Sequence, residues 1–184
     1  NLSLNFDLKI LVQYSVMILV VYLLIVNSSN IIDGLDFVMI LLSVISVFFI
    51  YILKLNDNVI VFNILVAMLI VGAFNFPPAK IYFGDSGAIL IGFIICYFSI
   101  DLKDEQISNA IIKPLYFYPL PIIDVFFSIC RRTLSKRSIF LKDKKHIHHI
   151  IYEWTKSIWL TLMIMVVFQT LSIILLNFGI INLL

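Results

Sequence analysis

The sequence predicts an all-α fold, a polytopic membrane helix bundle with about six transmembrane helices, and three observations carry that prediction. Hydrophobic residues make up 62% of the 184 residues, and only 24 are charged, 13 basic and 11 acidic. Mean hydropathy is +1.09, far above that of a soluble domain. The apolar residues also come in long runs, several close to the ~20 residues a helix needs to cross a bilayer. A water-soluble globular enzyme is therefore excluded. With 6 Gly, 5 Pro and 2 Cys, so are collagen-like, disordered and disulfide-stapled chains. Cys96 lies inside one apolar run and Cys130 ends another, and both read as free thiols.

Six spans follow in order: 10–26, 37–53, 59–76, 87–100, 110–130 and 158–178. The fourth is short, so its ends extend into the flanks or into a polar cavity. The fifth contains Pro114, Pro119 and Pro121, which remove backbone donors and predict a kink. Eight of the 13 basic residues lie between Arg131 and Lys156, which places that loop on the cytoplasmic side. Counting back puts loop 101–109 outside, 77–86 inside, 54–58 outside, 27–36 inside and the amino terminus outside. Asn1–Lys9 has no basic region before a cleavage site, so no secretory signal peptide is read there. The three polar segments that look chemical thus fall on one face.

The first of these is Asn27–Asp36, in which Asn27, Asn30, Asp33 and Asp36 recur at three-residue spacing. On a helical turn such residues share a face, and oxygen donors suit a hard cation such as Mg²⁺ or a polar ligand. An ordinary turn built from Asn, Ser, Asp and Gly is the equally weighted alternative. The second is Gly84-Asp85-Ser86-Gly87, where a lone carboxylate stands at the start of a span. A helix start favours anions and the glycines allow close approach to backbone, yet Asp85 or Ser86 acting as a simple cap is the plainer reading. The third contains Pro121-Ile122-Ile123-Asp124, Arg131-Arg132 and then His146, His148 and His149, every histidine in the chain. The Cys/His spacing of a zinc site is absent. A helical arrangement would bring His146 and His149 together, and imidazoles beside Arg and Lys suit phosphate oxygens. Most of the basic residues also serve as a positive-inside anchor. Asp33, Asp36, Asp85 and Asp124 would each cost about 2.5–3.5 kcal/mol at the bilayer centre, so they are expected at the inner ends of spans.

Taken in order, NxxNxxDGLD, GDSGxxxxGF from Gly84 to Phe93, PxxD ending at Asp124, and Asp143-x-x-His146-x-His148-His149 resemble the polyprenyl-phosphate N-acetylhexosamine-1-phosphate transferases. These bacterial membrane enzymes initiate O-antigen, enterobacterial common antigen and teichoic-acid linkage synthesis, and are related to the phospho-MurNAc-pentapeptide translocase. The resemblance implies transfer of a sugar 1-phosphate, such as N-acetylglucosamine 1-phosphate, from a UDP-sugar to undecaprenyl phosphate, with release of UMP. It implies Mg²⁺ as cofactor, with Asp85 as metal ligand and Asn30 as a second. Asp33, Asp36 and Asp85 become the catalytic set. Asn27, Asn30, Arg131, Arg132, His146, His148 and His149 become substrate-binding residues. The implied location is the bacterial inner membrane with the site on the cytoplasmic face. A homodimer is a further expectation, and a nucleic-acid partner is not expected.

The chain departs from the family at several points. It has no adjacent pair of aspartates to match the family's earlier Asp-Asp motif, so residues 1–184 are expected to form one integral membrane domain, the carboxy-terminal portion of a longer transferase. Phe37 stands where the family usually has Gly after DGLD, and Lys144-Lys145 where an Arg often follows the Asp. The HxHH form favours the N-acetylhexosamine enzymes over the translocase. The competing readings are a transporter, which would show internal repeats meeting at the midplane, and a non-catalytic membrane fragment of the transferase.

Overall fold

The computed structural model describes residues 6–53, 58–100, 107–136 and 146–179. Among these residues there are eight α-helices and no strand: α1 (Phe6–Ile32), α2 (Val38–Ile52), α3 (Asn58–Asn75), α4 (Gly84–Ser99), α5 (Ile107–Phe117), α6 (Pro119–Leu134), α7 (Ile147–Thr155) and α8 (Ile158–Ile174), the last running into a π-turn at Leu175–Gly179. The architecture is the all-α membrane bundle expected. Gln13–Ile32, Asn58–Asn75 and Ile158–Phe178 are each long and apolar enough to cross a bilayer, and the bent pair α5–α6 supplies a fourth span if counted as one. The helices α2 and α4, with 15 and 16 residues, are shorter apolar elements. Six apolar runs thus become helices, at lengths the runs themselves did not fix.

Three boundaries differ from the sequence expectation. Residues 27–32, read as a cytoplasmic loop, continue α1 as helix. Their small polar side chains are satisfied helically, since the buried hydroxyls of Ser28 and Ser29 both donate to Ile25 O, at 2.7 and 3.2 Å. Residues 84–86 form the first turn of α4 rather than a loop. The fifth span is two helices rather than one kinked helix, meeting at Tyr118 with a bend of 98°. Pro114 sits inside α5, whereas Pro119 takes the first position of α6, where its missing N–H is no loss.

Apolar side chains face both inward and outward. Ile25, Met39, Leu42, Ile91, Ile95, Phe117, Met165 and Ile173 are buried against one another. Phe62, Leu69, Leu90, Phe93, Met163 and Leu171 are exposed on the outside. A soluble chain would not leave so much apolar surface open, and a lipid-facing chain does. The protein is a multi-pass membrane protein. The helix α1 packs chiefly on α4 and α6, and α2 lies between α3 and α8. The α1–α4 crossing depends on Gly92: a Cβ there would lie 2.8 Å from both Ser29 Oγ and Val26 Cα. Cys96 and Cys130 are free thiols, as read.

The break at Tyr118 leaves backbone polar groups inside an apolar bundle, where each would be costly unpaired. The fully buried Gln169 on α8 satisfies them. Its Oε1 accepts Leu120 N–H at 3.1 Å, and its Nε2 lies 3.2 Å from Phe117 O and 3.1 Å from Ser46 Oγ. Beside it the Tyr118 hydroxyl bonds Ser43 Oγ at 3.1 Å. Replacing Gln169 with Leu keeps the volume but strands Leu120 N–H and Phe117 O. Thermal unfolding in detergent is expected to report a loss of about 1–3 kcal/mol.

Candidate active site

The three polar segments gather at one end of the bundle, and the side chains of Asn75 and Asp36 tie the first two of them together. The amide of Asn75, at the end of α3, accepts Phe37 N–H on Oδ1 at 2.8 Å and donates from Nδ2 to Ile81 O at 2.7 Å. The carboxylate of Asp36 accepts Ala79 N–H on Oδ2 at 3.0 Å. Together they bind the turn 33–37 to the stretch 76–83, and so bring Asp85, in the exposed first turn of α4, towards Asp33. One oxygen of Asp36 is therefore committed to holding a loop.

The backbone of both segments is unusual. Gly84 has φ +64, which favours glycine, and Phe37 has φ +69, which does not. Phe37 is held there by its N–H bond to Asn75 and by an edge contact of its ring with Phe76 at 5.3 Å between centroids. No side chain caps the N-terminus of α4, so Asp85 and Ser86 are not spent as caps.

Asp33 is half-buried, and its carboxyl is pushed above the ordinary range, first by burial and then by the charges of Asp85 and Asp36. Asp33 thus feels the carboxylates of both neighbouring segments. Among the described residues no three His, Cys, Asp or Glu side chains form a complete metal cage. A hard cation that keeps its waters and takes one or two carboxylates plus phosphate oxygens does not require one. The donor set fits such an ion.

The histidines meet the same turn at Gly34. His148 is fully buried and packed so closely on Gly34 that a Cβ there would collide with its Nε2 and would lie 3.2 Å from His149 Nε2. Neither ring nitrogen of His148 has a hydrogen-bond partner. Burial drives its pKa down to about 3, with His149 and His146 pushing the same way and Asp124 opposing, so the ring is neutral at ordinary pH. The expected pairing of His146 with His149 is not what forms, because His146 precedes α7 in extended conformation. Instead His146 and His148 lie parallel at 5.8 Å, and His148 and His149 approach to 4.2 Å. Arg131 joins through Ser128: its Nη2 lies 3.4 Å from Ser128 Oγ, which is 3.3 Å from His146 Nδ1. Arg132 is the next residue of the same turn of α6.

Asn30 is half-buried on the last turn of α1, one turn before Asp33. Asn27 turns away, its Nδ2 donating to Leu23 O at 2.6 Å. Asp143 and the basic residues of 137–145 lie outside the described residues, as do residues 101–106 and 54–57 of the loops assigned to the opposite face. Gly34, Asn75 and Ser128 were not singled out from sequence. Of these only Gly34 carried a signal, being the glycine of DGLD.

A membrane helix bundle that gathers carboxylates, imidazoles and a guanidinium at one end suits the handling of phosphoryl groups beside a bilayer. The glycosyl transferase family 4 profile matches residues 1–103, and the chain belongs to that family. A probable undecaprenyl-phosphate N-acetylglucosaminyl 1-phosphate transferase of Bacillus subtilis is 36% identical over 131 residues, covering 68% of this chain and 37% of that protein. An undecaprenyl-phosphate alpha-N-acetylglucosaminyl 1-phosphate transferase of Thermotoga maritima is 32% identical over 144 residues, 78% of this chain and 45% of the other. A phospho-N-acetylmuramoyl-pentapeptide-transferase of Dictyoglomus turgidum is 29% identical over 170 residues, 89% of this chain and 54% of the other. The chain therefore matches between about a third and just over half of the length of these relatives. No solved structure matches it.

The state of His148 sets a pH dependence. Unfolded, the ring takes a proton near 6.5; folded, only near 3. Between those values the unfolded chain binds the extra proton, so this group lowers stability progressively as pH falls from 6.5 towards 3 and has no effect above. In detergent, the acid side of the stability profile is expected to be flatter for His148→Gln than for the wild type, with the two profiles parallel above pH 7.

Proposed function

We propose that the chain carries the catalytic end of a transferase that moves N-acetylglucosamine 1-phosphate, or a related N-acetylhexosamine 1-phosphate, from its UDP-sugar to undecaprenyl phosphate. The observation that carries this reading is His148, a buried imidazole with both nitrogens unbonded, held against Gly34 in the turn that bears Asp33 and Asp36. A buried polar ring without a partner is costly, and a phosphate oxygen arriving over Gly34 would supply the missing one. The names of the relatives support the acceptor and the transferred group.

In this reaction the β-phosphorus of the UDP-sugar gains a bond to an oxygen of the lipid phosphate and loses its bond to the bridging oxygen, and UMP leaves with that oxygen. Such transfer depends on positioning and charge neutralisation more than on covalent help. Asp85, with Asn30, would hold Mg²⁺, which when bound neutralises charge on the diphosphate. His148 and His149 would donate to phosphate oxygens, with His146, Arg131 and Arg132 on the side of α6. Asp33, whose carboxyl is already raised, suits a group that takes or returns a proton. Asp36 would support the turn that bears it. The reaction would take place at the cytoplasmic face of the bacterial inner membrane.

UMP release from UDP-N-acetylglucosamine tests the proposal, using membranes that carry the chain in a host lacking its own initiating transferases. Release should require undecaprenyl phosphate and Mg²⁺ and should fall on the order of 10²-fold or more in Asp85→Asn, while membrane insertion is unchanged. Mn²⁺ binding followed by electron paramagnetic resonance gives a readout independent of turnover, and Asp85→Asn should weaken it. Lipid-independent release, or equal turnover in the variant, overturns the assignment.

A further inference from the structure

The residue Asp124 is a carboxylate at 1% exposure on α6, and both of its oxygens are committed. Oδ2 lies 3.0 Å from His146 Nδ1, and Oδ1 accepts Ile147 N–H at 2.8 Å. Ile147 is the first residue of α7, so its amide is one of the donors that a helix start leaves without an internal partner. His146 occupies the capping position and makes no side-chain cap. Asp124 therefore caps α7 from another helix, its charge facing the favourable end of the helix dipole.

The second bond fixes the imidazole. A carboxylate oxygen only accepts, so the His146 nitrogen facing it carries the proton, and Nε2 is the ring atom left for another ligand. Ser128, one turn beyond Asp124, approaches the same Nδ1 and is itself reached by Arg131. The His146 ring stacks parallel to His148, which abuts His149 and Gly34. One carboxylate thus sets a ring, a helix start and, through them, the row of imidazoles.

We propose that Asp124 is a positioning residue for the transfer: it determines which nitrogen His146 offers to a phosphate and where the first turn of α7 holds His148 and His149. The assignment of a role in transfer rests on the transferase reading above; the control of the ring does not.

Nitrogen-15 NMR of histidine-labelled full chain in detergent micelles reads the ring directly. Wild type is expected to carry a proton on His146 Nδ1. In Asp124→Asn the carboxamide oxygen still accepts Ile147 N–H, but its NH₂ faces Nδ1, so the proton should move to Nε2. Transfer by that variant should fall about 10–100-fold, mainly in kcat, the size seen when the orienting partner of a working histidine is lost. Asp124→Glu, which restores a carboxylate, should recover part of it. Because Asp124 acts through His146, Asp124→Asn combined with His146→Ala should be no slower than His146→Ala alone.

A wild-type Nδ1 without a proton overturns the proposal, and that measurement needs no folded variant. An unchanged tautomer in Asp124→Asn overturns it as well, as do losses that simply add in the double variant, the signature of a purely structural role. Absence of transfer in the wild type overturns the transferase reading alone, since the tautomer is scored independently of turnover.

Discussion

The arrangement of the bundle rests on how one buried amide answers a broken span. Without Gln169, the chain could not leave the helical path at Tyr118 among apolar neighbours, because the freed N–H and C=O groups would have no partner. With it, α5 ends, the direction turns by 98°, and α6 begins on a proline that needs no donor. The turn is what carries Asp124 to His146. A chain of causes therefore runs from a polar side chain deep in α8 to the imidazoles at the polar end, through rigid helical elements at every stage.

At that end, charge and hydrogen bonding are divided between segments far apart in sequence. The turn after α1 and the loop before α4 contribute acid, and the start of α7 contributes imidazole. Some polar groups are fully occupied in holding the frame, as are both oxygens of Asp124 and the amide of Asn75. Others are conspicuously unoccupied, above all the two nitrogens of His148. The contrast between satisfied supports and an unsatisfied centre is what a binding site requires, since the supports must already be rigid when the ligand replaces water.

Much of this was legible in the sequence. Hydropathy alone predicts the class and where the apolar helices fall, though not how many are long enough to span, and the basic cluster between Arg131 and Lys156 predicts which polar segments share a face. The extension of α1 through Ile32 was not legible, because Asn and Ser favour turns in isolation, whereas here the hydroxyls of Ser28 and Ser29 bond back to Ile25 O and Ser29 lies close to Gly92 of α4. Three prolines in the fifth span announced a distortion without saying that it would be a right-angled break, which depends on Gln169 some fifty residues later. The histidine spacing pairs His146 with His149 only if helix runs from His146 onward, whereas the helix begins one residue later. Asp36 and Asn75 show the same limit: a sequence marks them as polar, but only the fold reveals which backbone each one holds.

Phe37 closes the acidic turn in a left-handed conformation that a glycine would adopt without strain. A glycine at this place would leave the turn free to sample many shapes, each to be given up when a ligand binds. The phenyl ring, lodged against Phe76, and the amide, bonded to Asn75, restrict that sampling in the folded chain. The entropy of ordering the turn is thereby charged to folding and not to association, so the loop bearing Asp33 and Asp36 meets whatever it binds with its shape already chosen.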